Sequence, residues 1–373
     1  MDTATKPKRL QPPVNPHVAA LPPYNSGMPL AEAQAISGRM DIARLASNEN
    51  PHGCSPAVIA TLRDGFEPWR YADPSCAALR AALAKFLTVD AEQIVVGNGS
   101  EEMIAAVSRA VLVPDADVVT VVPSFGLHEI EPLAAGARVI KIAMTDGAAF
   151  DIPALEKAIA AGPRLVFISS PWNPVGPALS RADLGRLIAA VGKGTVFVLD
   201  EAYFEFADAR GPDALAMLQD SGVAFVVLRT FSKAYGLAGL RVGYAVCSDV
   251  EIARVVSAAK TPFNVNGAAQ LAALAALADQ NWMQASVISI RSERERVAQA
   301  LRDLGFAVAP SQTNFLFVDC GKDSAKVSRV LLAQGIVIKA WREPGYTQFL
   351  RITIGQAAEN DRLIAAMASV IGA

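Results

Sequence analysis

Lys233 lies in a short polar segment between two apolar runs, and this segment constrains the fold more than any other stretch of the chain. The run Phe225–Leu228 has the length and β-branched content of a buried strand, and a second apolar run extends from Val242 to Val246. A lysine between two buried strands is costly unless it has a covalent or ionic role. The segment therefore contains either a loop lysine that reaches solvent or an amine with a chemical task.

The side chains near Lys233 in the sequence are suited to a phosphate ester. Thr230 and Ser232 supply hydroxyl groups, and Arg241 supplies a guanidinium that can bind a phosphate through two N–H groups. Asp200 ends an earlier apolar run and supplies a carboxylate. An amine that can form an imine, groups that can hold a phosphate and a carboxylate that can meet a ring nitrogen together indicate a pyridoxal-phosphate site.

The composition indicates a globular chain without a strongly charged surface. With 373 residues, of which 52% are apolar and 19% charged, the chain is long enough for two domains and a large core. The formal net charge is only −2, so no nucleic-acid partner is expected. No run of eighteen apolar residues occurs, so no membrane span is predicted.

The cysteines and histidines do not predict a metal site. The four cysteines lie far apart without a Cys-x-x-Cys pair, and none of the three histidines has another ligand type at metal-binding spacing. Reduced thiols are usual in a cytoplasm, so a cytoplasmic location is expected. Residues 1–30 are rich in proline and lack the apolar segment of a signal peptide, which predicts an extended arm.

From Gln93 onward, short apolar strands alternate with amphipathic helices. Seven strands are predicted before residue 262, and their near-continuous apolar sequences indicate a mostly parallel sheet covered by helices. A long helical stretch followed by short strands and helices then indicates a smaller α+β domain. We predict an α/β fold with an arm and part of the small domain over 1–44, a large cofactor-binding domain over 45–262 and a small domain over 263–373.

Polar residues follow the carboxyl ends of the predicted strands, and ligands bind at that edge of open α/β sheets. Gly99 and Ser100 lead from a strand into a helix, where free backbone N–H groups can bind an anion. Arg351, inside a late apolar strand, either pairs with a carboxylate or faces water. The other polar clusters are Ser124-Phe125, Trp172-Asn173-Pro174, Asp200-Glu201-Ala202-Tyr203 and Thr230-Phe231-Ser232-Lys233.

Several motifs resemble those of a known family, and the resemblance extends over nearly the whole chain. It implies an aspartate-aminotransferase-like fold with pyridoxal 5'-phosphate as the cofactor. The motifs similar to the fold-type-I aminotransferases are Asn173-Pro174-x-Gly176, Asp200-Glu201-Ala202-Tyr203, Ser232-Lys233 with Arg241, and Arg351. Those similar to the histidinol-phosphate aminotransferase branch are Pro23-Tyr24, Asn48-Glu49-Asn50-Pro51, Arg70-Tyr71, Thr230-x-Ser232-Lys233-Ala234 and Leu350-Arg351-Ile352-Thr353.

The resemblance implies roles around the cofactor. Lys233 resembles the lysine that forms the internal aldimine and later moves the proton between the substrate Cα and C4′ of the cofactor. Asp200 resembles the partner of the pyridine nitrogen, where a carboxylate keeps the ring cationic. The other implied contacts are Tyr203 and Asn173 at the ring 3-oxygen, Phe125 on the ring face, and Gly99, Ser100, Thr230, Ser232 and Arg241 at the phosphate.

The resemblance also implies a homodimer with both active sites near the interface. Tyr71 is expected to reach the phosphate of the cofactor held by the other subunit. Arg351 resembles the clamp for the α-carboxylate of the substrate, with Asn48 and Asn173 nearby. Tyr24 is expected either to contact the substrate or simply to pack as an aromatic residue.

The chain departs from the family pattern at positions that bear on the substrate. Lys339 and Arg342 occur where relatives that bind a phosphorylated substrate often have Ile-x-Arg. A lysine interacts with a phosphate as a point charge, whereas an arginine can donate two parallel hydrogen bonds to it. Phe125 occurs in place of a tyrosine and Trp172 in place of an asparagine, so the pocket shape is expected to differ. His128 is expected to face either the substrate or solvent.

These features predict a pyridoxal-phosphate-dependent aminotransferase whose donor is histidinol phosphate, with glutamate and 2-oxoglutarate as the second pair. An aromatic amino acid is an alternative donor, because Phe125, Tyr24, Tyr71 and Trp341 could line an apolar pocket. A decarboxylase of the cobalamin side-arm type is a third reading. A transcription regulator and a nicotinamide dehydrogenase are disfavoured, because the arm is too short for a helix-turn-helix and no G-x-G-x-x-G follows the first strand.

Overall fold

The computed structural model describes residues 13–22 and 27–371. Tyr24 lies outside these residues, so its expected role stays a prediction. No helix within the described ranges is both long and apolar enough to cross a membrane. The described chain forms two β-sheets with helices packed against them.

The larger sheet has seven strands. They are β2 (Ile94–Gly97), β3 (Asp117–Val122), β4 (Arg138–Ala143), β5 (Leu165–Ser169), β6 (Val196–Asp200), β7 (Ala224–Thr230) and β8 (Gly243–Cys247). Their order is β2-β8-β7-β6-β5-β3-β4, and only β8 runs antiparallel to its neighbours. The predicted mostly parallel, seven-stranded sheet is confirmed.

The smaller sheet joins the beginning and the end of the chain. Its strands are β1 (Ala43–Leu45), β9 (Ala307–Val308), β10 (Phe315–Asp319), β11 (Ile336–Ala340) and β12 (Phe349–Thr353), in the order β1-β11-β12-β10-β9. β1 pairs in parallel with β11, whereas the other pairs are antiparallel. The domain boundary that we propose after residue 44 falls within β1.

Helices pack on both faces of the larger sheet because its inner strands are apolar on both sides. In β7, Phe225 and Val227 belong to one buried cluster, whereas Val226 and Leu228 belong to another. Successive side chains of a strand point to opposite faces, so neither face of this strand is left to solvent.

The helices of the described chain differ widely in length, from one turn to the 24 residues of the helix that begins at Gln280. They are α1 (Pro16–Ala19), α2 (Leu30–Ser37), α3 (Pro56–Asp64), α4 (Ala77–Leu87), α5 (Gly99–Val111), α6 (Leu127–Ala134), α7 (Ile152–Ala160), α8 (Arg181–Ala189), α9 (Ala214–Ser221), α10 (Val250–Ala258), α11 (Gly267–Ala278), α12 (Gln280–Asp303), α13 (Ser324–Ala333) and α14 (Ala357–Ile371). Many begin at a side-chain cap; Asp249, for example, accepts the Ile252 N–H ahead of α10.

Candidate active site

A pocket of about 560 Å³ lies where the carboxyl ends of the larger sheet meet the smaller sheet. Asp200 reaches it from β6, Thr230 from β7 and Arg351 from β12. The parallel strands bring distant polar residues to this one edge. The sequence-predicted residues that line the pocket are Asn48, Ser100, Phe125, Asn173, Asp200, Tyr203, Thr230, Ser232, Lys233, Arg241, Lys339, Arg342 and Arg351.

The Lys233 amine enters the pocket from the turn after β7. Its Nζ donates to the Ser47 carbonyl at 3.2 Å and lies 6.0 Å from the centre of the Tyr203 ring. Burial, with a further contribution from the Arg351 charge, lowers the pKa of Lys233 from 10.5 to about 8. At neutral pH this amine is therefore uncharged far more often than that of an exposed lysine, and the uncharged form is the nucleophile and the base.

Asp200, at the end of β6, is held from two sides. Its Oδ1 accepts the Ala202 N–H at 3.0 Å, and its Oδ2 lies 3.0 Å from His128 Nε2. His128 is fully buried and stacks on Phe167, with the ring centres 5.1 Å apart. Both expected orientations of His128 are wrong, because its position on α6 places the side chain behind Asp200 rather than in the pocket or in solvent.

Arg351 and Asn48 belong to hydrogen bonds that connect the two sheets. Two guanidinium nitrogens of Arg351 donate to Asn173 Oδ1 and to the Ala46 carbonyl, both at 2.8 Å. Asn48 Nδ2 donates to the Tyr203 hydroxyl at 2.7 Å. Arg351 is only 9% exposed, so the interpretation in which it faces water is wrong. Both of these acceptors are neutral amide oxygens, so they orient the guanidinium without neutralising its charge.

Thr230, Ser232 and Arg241 meet at the N-terminus of α5. Arg241 donates to Ser232 Oγ at 3.3 Å and to Glu101 Oε2 at 2.9 Å, and the Ser232 N–H donates to Thr230 Oγ1 at 3.1 Å. Gly99 permits this approach, because a Cβ there would lie 2.5 Å from the Arg241 guanidinium and its φ is +79°. A guanidinium, two hydroxyls and a helix N-terminus together fit a phosphate group.

A second group of cations lies around Arg351. Burial, followed by the charges of Arg351 and Arg342, lowers the pKa of Lys339 to about 8. Arg342 is exposed at the pocket mouth. The Cζ atom of Arg351 lies 5.5 Å from the centre of the Phe315 ring and 5.9 Å from that of Trp341. This end of the pocket is therefore suited to an anion with an aromatic surface beside it.

Tyr71 does not line the pocket of its own chain. Its side chain is 86% exposed, and its ring packs on Phe263 with the centres 4.7 Å apart. Trp69, in the same loop, is 74% exposed. Exposed aromatic residues grouped in this way are typical of a surface that meets another chain. The expected role of Tyr71 at a partner's cofactor stays a prediction.

Sequence reasoning missed several charged residues that line the pocket, among them Glu129, Lys141 and Glu343. Lys141, in β4, lies 2.5 Å from Glu129 on α6, and Glu343 accepts the Ser124 N–H at 3.2 Å. Local periodicity could not place these residues together, because each comes from a different element. The one available indication was Lys141 itself, a charge inside an apolar strand sequence. Trp172, conversely, is fully buried and does not line the pocket.

The donor set of the pocket suits an aromatic aldehyde phosphate ester. It offers an amine for the aldehyde, a carboxylate for a ring nitrogen and a phosphate-binding corner. Across residues 13–22 and 27–371, no three His, Cys, Asp or Glu side chains are grouped so that they could hold a metal ion.

The chain belongs to the aminotransferase class I and II family, whose model matches residues 40–367. Family membership confirms the predicted enzyme class, a pyridoxal-phosphate-dependent aminotransferase. The chain is similar to histidinol-phosphate aminotransferase 1 of Mesorhizobium japonicum, with 42% identity over 353 residues that cover 94% of this chain and 96% of that protein.

Two solved structures show the fold. Histidinol-phosphate aminotransferase from Sinorhizobium meliloti in complex with pyridoxal-5'-phosphate matches with a TM-score of 0.89 and 30% identity, over 98% of this chain and 99% of that one. A double mutant of Thermus thermophilus aspartate aminotransferase matches with a TM-score of 0.81 and 20% identity, over 96% and 100% of the two chains. The predicted aspartate-aminotransferase-like fold is confirmed.

Proposed function

We propose that this aminotransferase moves the amino group of histidinol phosphate to 2-oxoglutarate. The pocket carries the proposal, because a lysine amine, a buried carboxylate and a phosphate-binding corner share it with Lys339, Arg342 and Arg351. Relatives named histidinol-phosphate aminotransferase, which are 42% and 41% identical over nearly the whole chain, support the same donor.

Bound pyridoxal phosphate would supply an aldehyde that bonds to amines and a ring that accepts electrons. Asp200 would meet the pyridine nitrogen, with His128 orienting the carboxylate from behind. Phe125 would cover one face of the ring. The remaining assignments are Asn173 and Tyr203 to the ring oxygen, and Gly99, Ser100, Thr230, Ser232 and Arg241 to the phosphate.

Lys233 is the residue to which we assign proton transfer. Lys233 would hold the aldehyde of bound pyridoxal phosphate through its amine, and the free Lys233 amine would lie beside the substrate Cα. There it would remove the Cα proton as a general base and return a proton as a general acid. A pKa of about 8 suits both roles, because acid–base catalysis is most efficient when the pKa lies near the working pH.

Arg351, Lys339 and Arg342 would bind the anionic end of each substrate. The phosphate of histidinol phosphate offers three acceptor oxygens and carries nearly two charges, so more than one cation is needed. Burial and neighbouring cations depress the pKa of Lys339, and an arriving phosphate would favour its charged form again. Asn48 and Asn173 would fix the substrate near these cations, as would Tyr24 if it contacts the substrate.

A homodimer belongs to the same proposal, with Tyr71 serving the cofactor phosphate of the partner subunit. The exposed surface formed by Tyr71, Trp69 and Phe263 supports it. Sedimentation should give twice the mass of the chain. A Trp69→Asp substitution should shift the protein toward the monomer and lower its affinity for the cofactor. A wild-type protein that sediments as a monomer would contradict this arrangement.

A cytoplasmic location is also proposed. Cys54, Cys76, Cys247 and Cys320 are unpaired, which suits a reducing compartment. The partners that we propose are small molecules, an amino donor and a 2-oxo acid.

A panel of amino donors with 2-oxoglutarate tests the donor. Histidinol phosphate should have a kcat/KM at least about tenfold above those of phenylalanine and tyrosine, because only it offers a phosphate to the cation cluster. A preference for phenylalanine would instead indicate an aromatic aminotransferase. Turnover that releases carbon dioxide without 2-oxoglutarate would indicate a decarboxylase.

A further inference from the structure

One wall of the pocket carries three charged side chains that have no role so far. Glu129 from α6, Lys141 from β4 and Glu343 from the loop after β11 line it, and we call these three residues the acidic wall. Lys141 lies 2.5 Å from Glu129. Burial raises the pKa of Glu343; the charge of Lys141 offsets part of this rise, and that of Glu129 adds to it. The three side chains therefore act as one electrostatic cluster with an excess of one negative charge when all are ionised.

Glu343 lies between the two ends of the pocket. Its Oε2 accepts the Ser124 N–H at 3.2 Å and the Trp341 Nε1–H at 3.1 Å. Ser124 precedes Phe125, the residue assigned to the cofactor ring, and the Trp341 ring is 5.9 Å from Arg351 Cζ. In the proposed function, the substrate amine is directed to the cofactor and the substrate anion to Arg351. The remaining substituent on Cα, the donor side chain, would then occupy the part of the pocket near Glu343.

The chemistry of the acidic wall fits two different side chains. Among residues 13–22 and 27–371, both hydrogen bonds to the Glu343 side chain use Oε2, so Oε1 keeps lone pairs for an incoming N–H donor. An imidazole ring brings such a donor. Glutamate instead brings a second carboxylate, which Glu343 would repel and the Lys141 ammonium would attract. A phenyl ring offers neither group.

We propose that the acidic wall selects the donor side chain, with Glu343 accepting a hydrogen bond from the imidazole ring and Lys141 pairing with the distal carboxylate of glutamate. Glu129 holds Lys141 when glutamate is absent. This inference rests on the proposed function, because it concerns the two amino donors of that reaction. A single charged cluster would therefore recognise the side chains of both donors, which occupy the same pocket in turn.

Two substitutions test the proposal, Glu343→Gln and Lys141→Met, with Glu156→Gln and Lys157→Met on α7 as matched controls outside the pocket. Glutamine keeps the shape of residue 343 and an oxygen for the Ser124 N–H. Single-turnover rates should be measured with histidinol phosphate, glutamate and phenylalanine. Equilibrium dissociation constants should be measured by calorimetry in a Lys233→Ala background, where proton transfer is blocked.

Glu343→Gln should slow the reaction of histidinol phosphate and weaken its binding, each about tenfold or more, because the amide nitrogen that replaces Oε1 cannot accept a hydrogen bond from the imidazole N–H. The rate and dissociation constant for phenylalanine should stay within about twofold of the wild-type values. Lys141→Met should slow the reaction of glutamate and weaken its binding about tenfold, because an ion pair in a half-buried pocket is lost. It should leave both values for phenylalanine unchanged. The control variants should match the wild type with all three donors.

Equal losses with all three donors would overturn the proposal, because they would show that the cluster only supports the loop. A wild-type protein that does not accept histidinol phosphate would refute the proposed function instead. In that case the glutamate measurements decide the inference: a selective loss in Lys141→Met supports it, and an unselective or absent loss overturns it.

Discussion

On the cofactor side of the pocket, ligand groups are already held by other side chains: Asp200 by His128, and Arg241 by Glu101 and Ser232. On the donor side, Lys339, Arg342 and Arg351 lie close enough for their charges to oppose one another. Groups fixed in advance suit one permanent ligand, because no reorganisation is needed at each turnover. An incoming anion relieves the repulsion within a cluster of like charges. Such a cluster suits a site that must bind the anions of two different donors in turn.

The two sides also come from different parts of the fold. The cofactor side is built from loops at the carboxyl ends of one parallel sheet, whereas the donor side adds β11, β12 and the loop between them. Substitutions on the cofactor side should therefore affect all donors by the same factor. Those on the donor side should separate the donors unless they touch the part that all donors share.

The largest effect is expected for Lys233→Ala. Removing the amine removes the general acid–base group, which alone contributes about 10²- to 10⁴-fold, so transamination should fall at least about 10⁴-fold with every donor. Steady-state assays with several donors measure this, and Lys193→Ala, in an exposed turn, serves as the control. Near-normal turnover in Lys233→Ala would refute the assignment of the base.

The pH dependence of cofactor capture should report the environment of the same amine. With the pKa of Lys233 lowered to about 8, the amine is mainly protonated and unreactive below pH 8, and capture should accelerate as the pH rises through 8. At pH 8 the free-amine fraction exceeds that of an ordinary lysine about 100-fold. Stopped-flow absorbance of the cofactor-free protein mixed with pyridoxal phosphate measures the midpoint. A midpoint near 10.5, as in a model lysine peptide, would show that the amine is not desolvated.

Arg351→Ala should be the largest loss on the donor side. The guanidinium is assigned to the anion that every donor carries, and a hydrogen bond to a charged group contributes about 1.5–3 kcal/mol, so KM should rise about 10- to 100-fold for all donors. Arg302→Ala, near the exposed end of α12, is the control. An increase confined to one donor would mean that Arg351 meets a side chain rather than the shared anion.

That the residues assigned to the cofactor side would share one pocket could be predicted from the sequence, because they follow strand ends. Apolar runs identify the strands, parallel order brings their carboxyl ends together, and each polar cluster then falls at the ligand edge. Thr230, Asp200 and Asn173 needed no knowledge of long-range packing to be placed there. The larger sheet was predictable for the same reason.

The donor side was harder to predict because it depends on how elements rotate and cross. The orientation of His128 depends on which face of α6 packs against the sheet, and one turn of a helix offers both faces. Glu343 meets Ser124 across 219 positions of sequence, which no local pattern records. β1 is only three residues long, so its pairing with β11 has little local signature.

The smallest effect is expected for His128→Leu, which tests whether the cofactor side depends on a residue that touches no ligand. His128 Nδ1 has no hydrogen-bond partner among the described residues, so a proton there would be buried and unpaired. The tautomer that donates from Nε2 to Asp200 is therefore favoured. Losing this one bond to the buried carboxylate should lower kcat about tenfold.

The positioning role of His128 predicts the same loss of kcat with every donor and little change in KM, because only the orientation of Asp200 is disturbed. His128→Gln keeps an N–H that can reach the carboxylate and should recover part of the activity, whereas His52→Leu, on an exposed turn, should have no effect. A loss that differed between donors would place His128 on the donor side. A lower melting temperature with unchanged kcat would show that the residue only fills the core beneath α6.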